Sequence, residues 1–170
     1  PVVNTLMGMG IVPSSYELNL GPLGLHGRLS ALEMSTEADL IISVGSRFSD
    51  RTYSQKSRMK SPDGKVVHID LDAVEFNKHR HPAANLQCDS KKAVRMLIEA
   101  LKPSYVPRRE WADRARMFKS RCACDPDFGC TPIVPQKVMH EINKIIDDDT
   151  IVTTDVGQNQ MLSLIHISEP

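Results

Sequence analysis

Arg47 and Arg51 sit in Gly45-Ser46-Arg47-Phe48-Ser49-Asp50-Arg51, directly after the apolar run Leu40-Ile41-Ile42-Ser43-Val44. Planar guanidinium groups bind phosphate through paired, directed hydrogen bonds, so a pyrophosphate is their natural partner at the end of a strand. The alternative is a solvated loop in which they pair with Asp50. Asp70 closes a second apolar run, Val66-Val67-His68-Ile69, where dinucleotide folds hold a carboxylate against ribose hydroxyls. It reads equally as an ordinary strand-end acid. Thr5-Leu6-Met7-Gly8-Met9-Gly10 and Gly21-Pro22-Leu23-Gly24-Leu25-His26-Gly27 add bare backbone that a ring or phosphate can approach, although either glycine group alone is more often a plain turn. Asp89-Ser90 serves as well for a helix cap as for an adenine contact.

The two apolar runs are short and rich in β-branched residues, which predicts parallel strands covered on both faces. Leu86-Gln87-Cys88 reads as another strand. Leu29 to Ala38 has helical spacing, and Ser90 to Leu101 opens on a capping serine with Val94, Leu97, Ile98 and Leu101 on one face. Strands alternating with helices predict an α/β fold with a parallel, doubly wound, Rossmann-like sheet over residues 1–102. Ligands of such sheets bind outside the carboxyl ends of the strands. Val2-Val3-Asn4-Thr5 opens as though in mid-strand, so the native polypeptide is expected to extend further toward its N-terminus.

Two prolines in Lys102-Pro103-Ser104-Tyr105-Val106-Pro107 mark a boundary, followed by a linker over 103–134 with a charged surface helix from Trp111 to Lys119. Residues 135–161 read as the start of a second α/β domain, with an amphipathic helix from Gln136 to Ile146 and a strand at Thr150-Ile151-Val152-Thr153-Thr154. Residues 162–170 read as a foreign tail.

Composition excludes several classes. Lysine plus arginine and aspartate plus glutamate both number 21, and no dense basic run favours nucleic acid. No apolar stretch approaches the roughly 20 residues of a membrane span, and the start lacks the order of a signal peptide, so a soluble, cytoplasmic protein is expected, plastid-located if eukaryotic. Cys88, Cys122, Cys124 and Cys130 lack the pairing and histidines of a metal site and read as reduced thiols. No Gly-x-Ser-x-Gly elbow, Gly-Lys-Ser/Thr phosphate loop, His-Glu-x-x-His or Gly-x-Gly-x-x-Gly fingerprint occurs. The residues speak for binding more than for reaction, and no catalytic residue or metal ligand is assigned.

Taken together, Thr5 to Gly10, Leu23 to Gly27, Gly45 to Arg51 and His68-Ile69-Asp70-Leu71-Asp72 closely resemble the large, catalytic subunit of acetolactate synthase, from Pro1 through about Met161. The resemblance implies the middle of three α/β domains, lined along an extended FAD. It implies that Thr5, Leu6, Met7, Leu23, Gly24, Leu25 and His26 contact the flavin side or ribityl chain. Gly45, Ser46, Arg47 and Arg51 would meet the pyrophosphate region, with Asp50 among the cofactor-binding residues, and Asp70, Leu71, Asp89 and Ser90 the adenosine end. Val156, Gly157, Gln158 and Asn159 look like the first loop of the family's thiamine-diphosphate domain, whose magnesium segment would lie further on. Ser49 stands where an aspartate is common, Pro22 and Leu25 where methionines are common, and Asn159 where histidine is usual.

The implied activity of the full enzyme is decarboxylation of pyruvate and condensation of the two-carbon unit with a second 2-oxo acid, toward branched-chain amino acids. The implied assembly is a homo-oligomer with a regulatory small subunit, and the piece alone is expected to be inactive. Glyoxylate carboligase and pyruvate oxidase share the architecture. A free-standing nucleotide-binding module using NAD or ADP is the reading from another class.

Overall fold

The computed structural model describes residues 1–24, 27–49, 51–52, 65–79, 81–121, 132–147 and 149–166, with side chains to 163. Two short strands, β1 (Val2–Asn4) and β2 (Asn19–Pro22), pair in parallel. Three more, β3 (Leu40–Val44), β4 (Lys65–Asp70) and β5 (Ala84–Gln87), form a second parallel sheet in that order. The α/β class with parallel strands is as the sequence predicts, although the described strands form two sheets rather than one.

Helix α1 (Leu29–Glu37) joins the two sheets in one core. Its Ala31 and Met34 are buried with Leu20 of β2, Leu23, Phe48 and Val66 of β4, and Val3 of β1 and Ile41 of β3 pack against them. Ser30 fastens the helix to β2 by donating to the Leu20 carbonyl at 3.1 Å. Register places Ile41 beside Val66, so the core-facing rows of β3 and β4 run together.

The opposite face departs from expectation. Ile69 of β4 is fully buried there, and α2 (Ser90–Leu101) packs on that strand, but Leu40, Ile42 and Val44 of β3 are about half exposed. Among the apolar residues of α2, Val94, Ile98 and Leu101 are exposed as well, and Ala93 is buried. Covering on both faces is therefore incomplete at β3, whose outer row stays about half exposed. The cap of α2 is Asp89, not Ser90: its carboxylate accepts the Lys92 N–H at 3.0 Å. Asp89 serves better because it reaches the orphan N–H groups from just outside the first turn.

Helix α3 (Arg109–Arg121) includes the stretch predicted as a charged surface helix. It packs on α1, with Ala115 and Phe118 buried in the shared core and Trp111 against it. Arg114 forms a bidentate ion pair with Glu37 of α1, and Arg116 bonds Glu17 at 2.6 and 2.9 Å. Lys119 donates to the carbonyls of Ser14 and Tyr16, both at 3.1 Å.

Helix α4 (Pro135–Asn143) carries proline in its first turn and packs on α5 (Gln158–His166), which also touches β2. The strand predicted at 150–154 does not form. Ile151 is 89% exposed, and β-branched residues make a strand only where a neighbour offers a ladder. No helix among the described residues is long and apolar enough to cross a membrane.

Candidate functional site along the carboxyl edge of the strands

Within each sheet the strands are parallel, so the segments leaving them collect at carboxyl edges, where open α/β sheets bind ligands. Thr5 and the turn Leu6–Gly8 follow β1, and Leu23 and Gly24 follow β2. Gly45, Ser46 and Arg47 follow β3, Asp70 ends β4 with Leu71 just after it, and Asp89 and Ser90 come just after β5.

These segments meet in sequence across the edge. The Leu23 N–H donates to the Asn4 carbonyl at 2.8 Å, joining the exits of β1 and β2. Gly24 has φ +118, and a Cβ placed on it would lie 2.1 Å from the Arg51 carbonyl oxygen and 2.9 Å from the Thr52 Cα. Such an approach between two backbones is open only to glycine, and it brings the exit of β2 against the arginine loop. Gly45 donates to the Ile69 carbonyl at 2.8 Å, and the Cys88 N–H to the Asp70 carbonyl at 3.1 Å. Gln87 Nε2 reaches the Leu71 carbonyl at 3.3 Å. Neighbouring strands lie about 4.8 Å apart, so the edge from β3 to β5 runs about 10 Å.

Arg47 and Arg51 are exposed, and among the described residues neither has an ion-pair partner. Gly45 has φ +64 with nothing within 4 Å of its Cβ position, leaving open backbone beside Arg47. Asp70 is half-buried: Oδ1 accepts the Asp72 N–H at 2.9 Å, and Oδ2 lies 3.9 Å from His68 Nε2. Leu6, Met7 and Leu71 present exposed apolar surface, with Met7 91% exposed. Asp89 is committed to its helix through one oxygen, and Ser90 is exposed beside it. Leu25, His26 and Asp50 lie outside the described residues, as do Cys122, Cys124 and Cys130.

The residues predicted for a second cofactor are placed separately, at the start of α5. Val156 is 85% exposed, Gly157 has φ +151, and Gln158 and Asn159 open the helix. The backbone bonds of this turn stay local, with Val156 N–H to Asp155 Oδ1 at 2.7 Å and Met161 N–H to the Gly157 carbonyl at 3.4 Å. Among the described residues no group of three or more His, Cys, Asp or Glu side chains is arranged to hold a metal ion.

His68 was not among the predicted site residues. It is buried at the head of β4 with Nε2 2.9 Å from the Ser46 carbonyl, and its ring meets Phe48 and Phe76 edge to face. The available signal was its place two residues before Asp70, on the same face of the strand.

A parallel α/β fold with a row of nucleotide-binding candidates along its carboxyl edge agrees with the family comparison. The profile described as thiamine pyrophosphate enzyme, central domain, matches residues 1–97, and the chain belongs to this family. Among individual proteins, the isozyme 1 large subunit of acetolactate synthase from Escherichia coli (strain K12) is 34% identical over 161 residues, covering 95% of this chain and 28% of that protein. A probable acetolactate synthase large subunit of Methanocaldococcus jannaschii is 36% identical over 168 residues, again 95% and 28%. The large subunit from Corynebacterium glutamicum is 34% identical over 165 residues, 95% and 26%. The chain thus spans less than a third of the length of these relatives.

Proposed function

We propose that this chain is part of an acetolactate synthase large subunit and that its carboxyl edge holds FAD. The observation that carries this reading is the contact of Gly24 with the Arg51 backbone, which brings the exits of both sheets to one place. The residues fit the cofactor. Thr5, Leu6, Met7, Leu23 and Gly24 offer an apolar and backbone surface for the flavin and ribityl portion, with Leu25 and His26 assigned to it from sequence. Gly45, Ser46, Arg47 and Arg51 offer open backbone and two cations for the pyrophosphate, and Asp50 is assigned beside them. Asp70, whose Oδ2 lies 3.9 Å from His68 Nε2, would take a ribose hydroxyl, with Leu71 as an apolar neighbour and Asp89 and Ser90 at the adenosine end.

In the whole enzyme, thiamine diphosphate with magnesium would supply the chemistry of pyruvate decarboxylation and transfer of the two-carbon unit to a second 2-oxo acid. This chain's contribution is to bind and orient FAD, and Val156, Gly157, Gln158 and Asn159 would meet the thiamine cofactor's diphosphate. Domain limits of 1–102, 103–134 and 135–161 go with this reading, with α3 of the middle segment packed against α1 of the first. The exposed apolar rows of β3 and α2 support packing against further protein, in line with a cytoplasmic homo-oligomer that takes a regulatory subunit.

The test is a titration of the 170-residue chain with FAD, and separately with ADP and NAD, followed by flavin absorbance and fluorescence. Saturable FAD binding that is lost in Arg47→Ala and weakened in Asp70→Ala is the expected result. Binding of NAD with no uptake of FAD would replace this reading with a stand-alone nucleotide module.

A further inference from the structure

His68 lies between the two portions of the edge assigned to phosphate and to ribose, bonded to the first and 3.9 Å from the second. Its side chain is 3% exposed, yet its polar contacts go to the site segments. Nε2 is 2.9 Å from the Ser46 carbonyl oxygen, twenty-two residues away in the chain. A carbonyl only accepts, so Nε2 carries the proton and donates. The same nitrogen lies 3.9 Å from Asp70 Oδ2.

The ring itself is held in place. Phe48 and Phe76 each approach it edge to face at 5.1 Å between centroids, with interplanar angles of 86° and 80°. Phe48 adopts φ 49, a left-handed conformation that a bulky side chain takes only when its surroundings impose it. The turn from Gly45 to Phe48 is bonded at its start by Gly45 to Ile69, and just beyond it Thr52 bonds Ser49. Between these points, the His68 donor fixes the Ser46 carbonyl. The Asp70 carboxylate is held on its other side by the Asp72 N–H at 2.9 Å.

We infer that His68 is a positioning residue of this edge: its Nε2 donor fixes the Ser46–Arg47 backbone beside the Asp70 carboxylate, where a nucleoside diphosphate would lie. This rests on the dinucleotide reading above. A histidine serving only the core would direct its donor within its own packing; here the donor is spent on a carbonyl of the loop that carries Arg47.

The experiment compares wild type, His68→Phe and His68→Gln in the 170-residue chain, titrated with ADP and with FAD below the melting temperature of each variant. Phenylalanine keeps a ring between Phe48 and Phe76 and removes the donor, whereas glutamine returns an N–H at a similar reach. The expected result is about tenfold weaker binding of both ligands in His68→Phe, the scale of one buried hydrogen bond, with His68→Gln within about threefold of wild type. A purely structural histidine would lower the melting temperature of His68→Phe and leave its affinity for ADP unchanged, and that result overturns the inference. So does a His68→Gln variant that binds no better than His68→Phe. If circular dichroism shows His68→Phe unfolded, the comparison passes to His68→Gln and His68→Asn. The shorter asparagine amide falls short of the Ser46 carbonyl, so weaker binding by asparagine supports the inference and equal binding overturns it. A folded wild type that takes up neither ADP nor FAD overturns the dinucleotide reading itself, and this inference with it.

Discussion

Gly24→Ala probes a contact that joins the two sheets at their carboxyl edge. The new Cβ would sit 2.1 Å from the Arg51 carbonyl oxygen, 2.9 Å from the Thr52 Cα and 3.0 Å from the Arg51 carbonyl carbon. All three are backbone atoms, so no side-chain rotation relieves the overlap, and the loops must part by about 1 Å before the contact becomes tolerable. The φ of +118 adds its own cost, because that region is almost closed to residues with a Cβ. Strain of about 1–3 kcal/mol and overpacking of similar size, partly relieved by loop movement, give an expected loss of about 2–4 kcal/mol. Gly45→Ala is the matched control: φ is +64 and nothing lies within 4 Å of the new atom, so only the left-handed penalty of about 1–2 kcal/mol applies. Urea unfolding followed by circular dichroism reads both as shifts of the midpoint at unchanged slope. Flavin titration of folded Gly24→Ala should show weakened binding beyond that of Gly45→Ala, since the arginine loop has moved. A Gly24→Ala chain as stable as Gly45→Ala would mean that the backbone contact does not exist in solution.

Phe118→Ala should destabilise the chain by about 3–5 kcal/mol, since Phe118 is 6% exposed in the core shared with α1; a loss under about 1 kcal/mol by urea unfolding would show that α3 does not pack there. Asp89→Ala should remove the cap of α2 and cost about 1 kcal/mol, while Asp89→Asn, which keeps the accepting oxygen, should cost much less in the same assay. The Arg114 guanidinium holds the Glu37 carboxyl below its ordinary value of 4.5. A depressed folded value means that the pair stabilises the chain fully above that ordinary value and loses its effect as pH falls through the folded one. Wild type should therefore exceed Glu37→Gln in urea midpoint at pH 7, and the gap should narrow as pH falls below that ordinary value; a gap independent of pH would exclude the ion pair as its source.

The alternation of apolar runs with helical periodicity was enough to place β3, β4, α1 and α2, because each carries its own pattern over a full element. β2 was not legible, since Asn19-Leu20-Gly21-Pro22 contains two residues that strands usually avoid. It forms because Leu20 enters the core and Asn19 Oδ1 accepts the Gly21 N–H. The reverse error occurred at 150–154, where β-branched residues had no neighbouring strand. In α3 the buried stripe of Trp111, Ala115 and Phe118 was masked by charged residues around it and by the small size of alanine. Arg47, Arg51 and Asp70 stood out because their chemistry is local to a strand end. The joining of their edge to the exit of β2 depends on a backbone contact between Gly24 and Arg51, which no spacing in the sequence encodes. His68 was overlooked because its role rests on the Ser46 carbonyl, an atom that every residue possesses.

If the strand exits form one binding edge, amide hydrogen exchange of the 170-residue chain with and without FAD will report it segment by segment. FAD should slow exchange together in the segments 5–8, 23–24, 45–47, 51–52 and 70–71, with helix α4 unchanged. Protection confined to one of these segments, or none at saturating FAD, would exclude a shared edge.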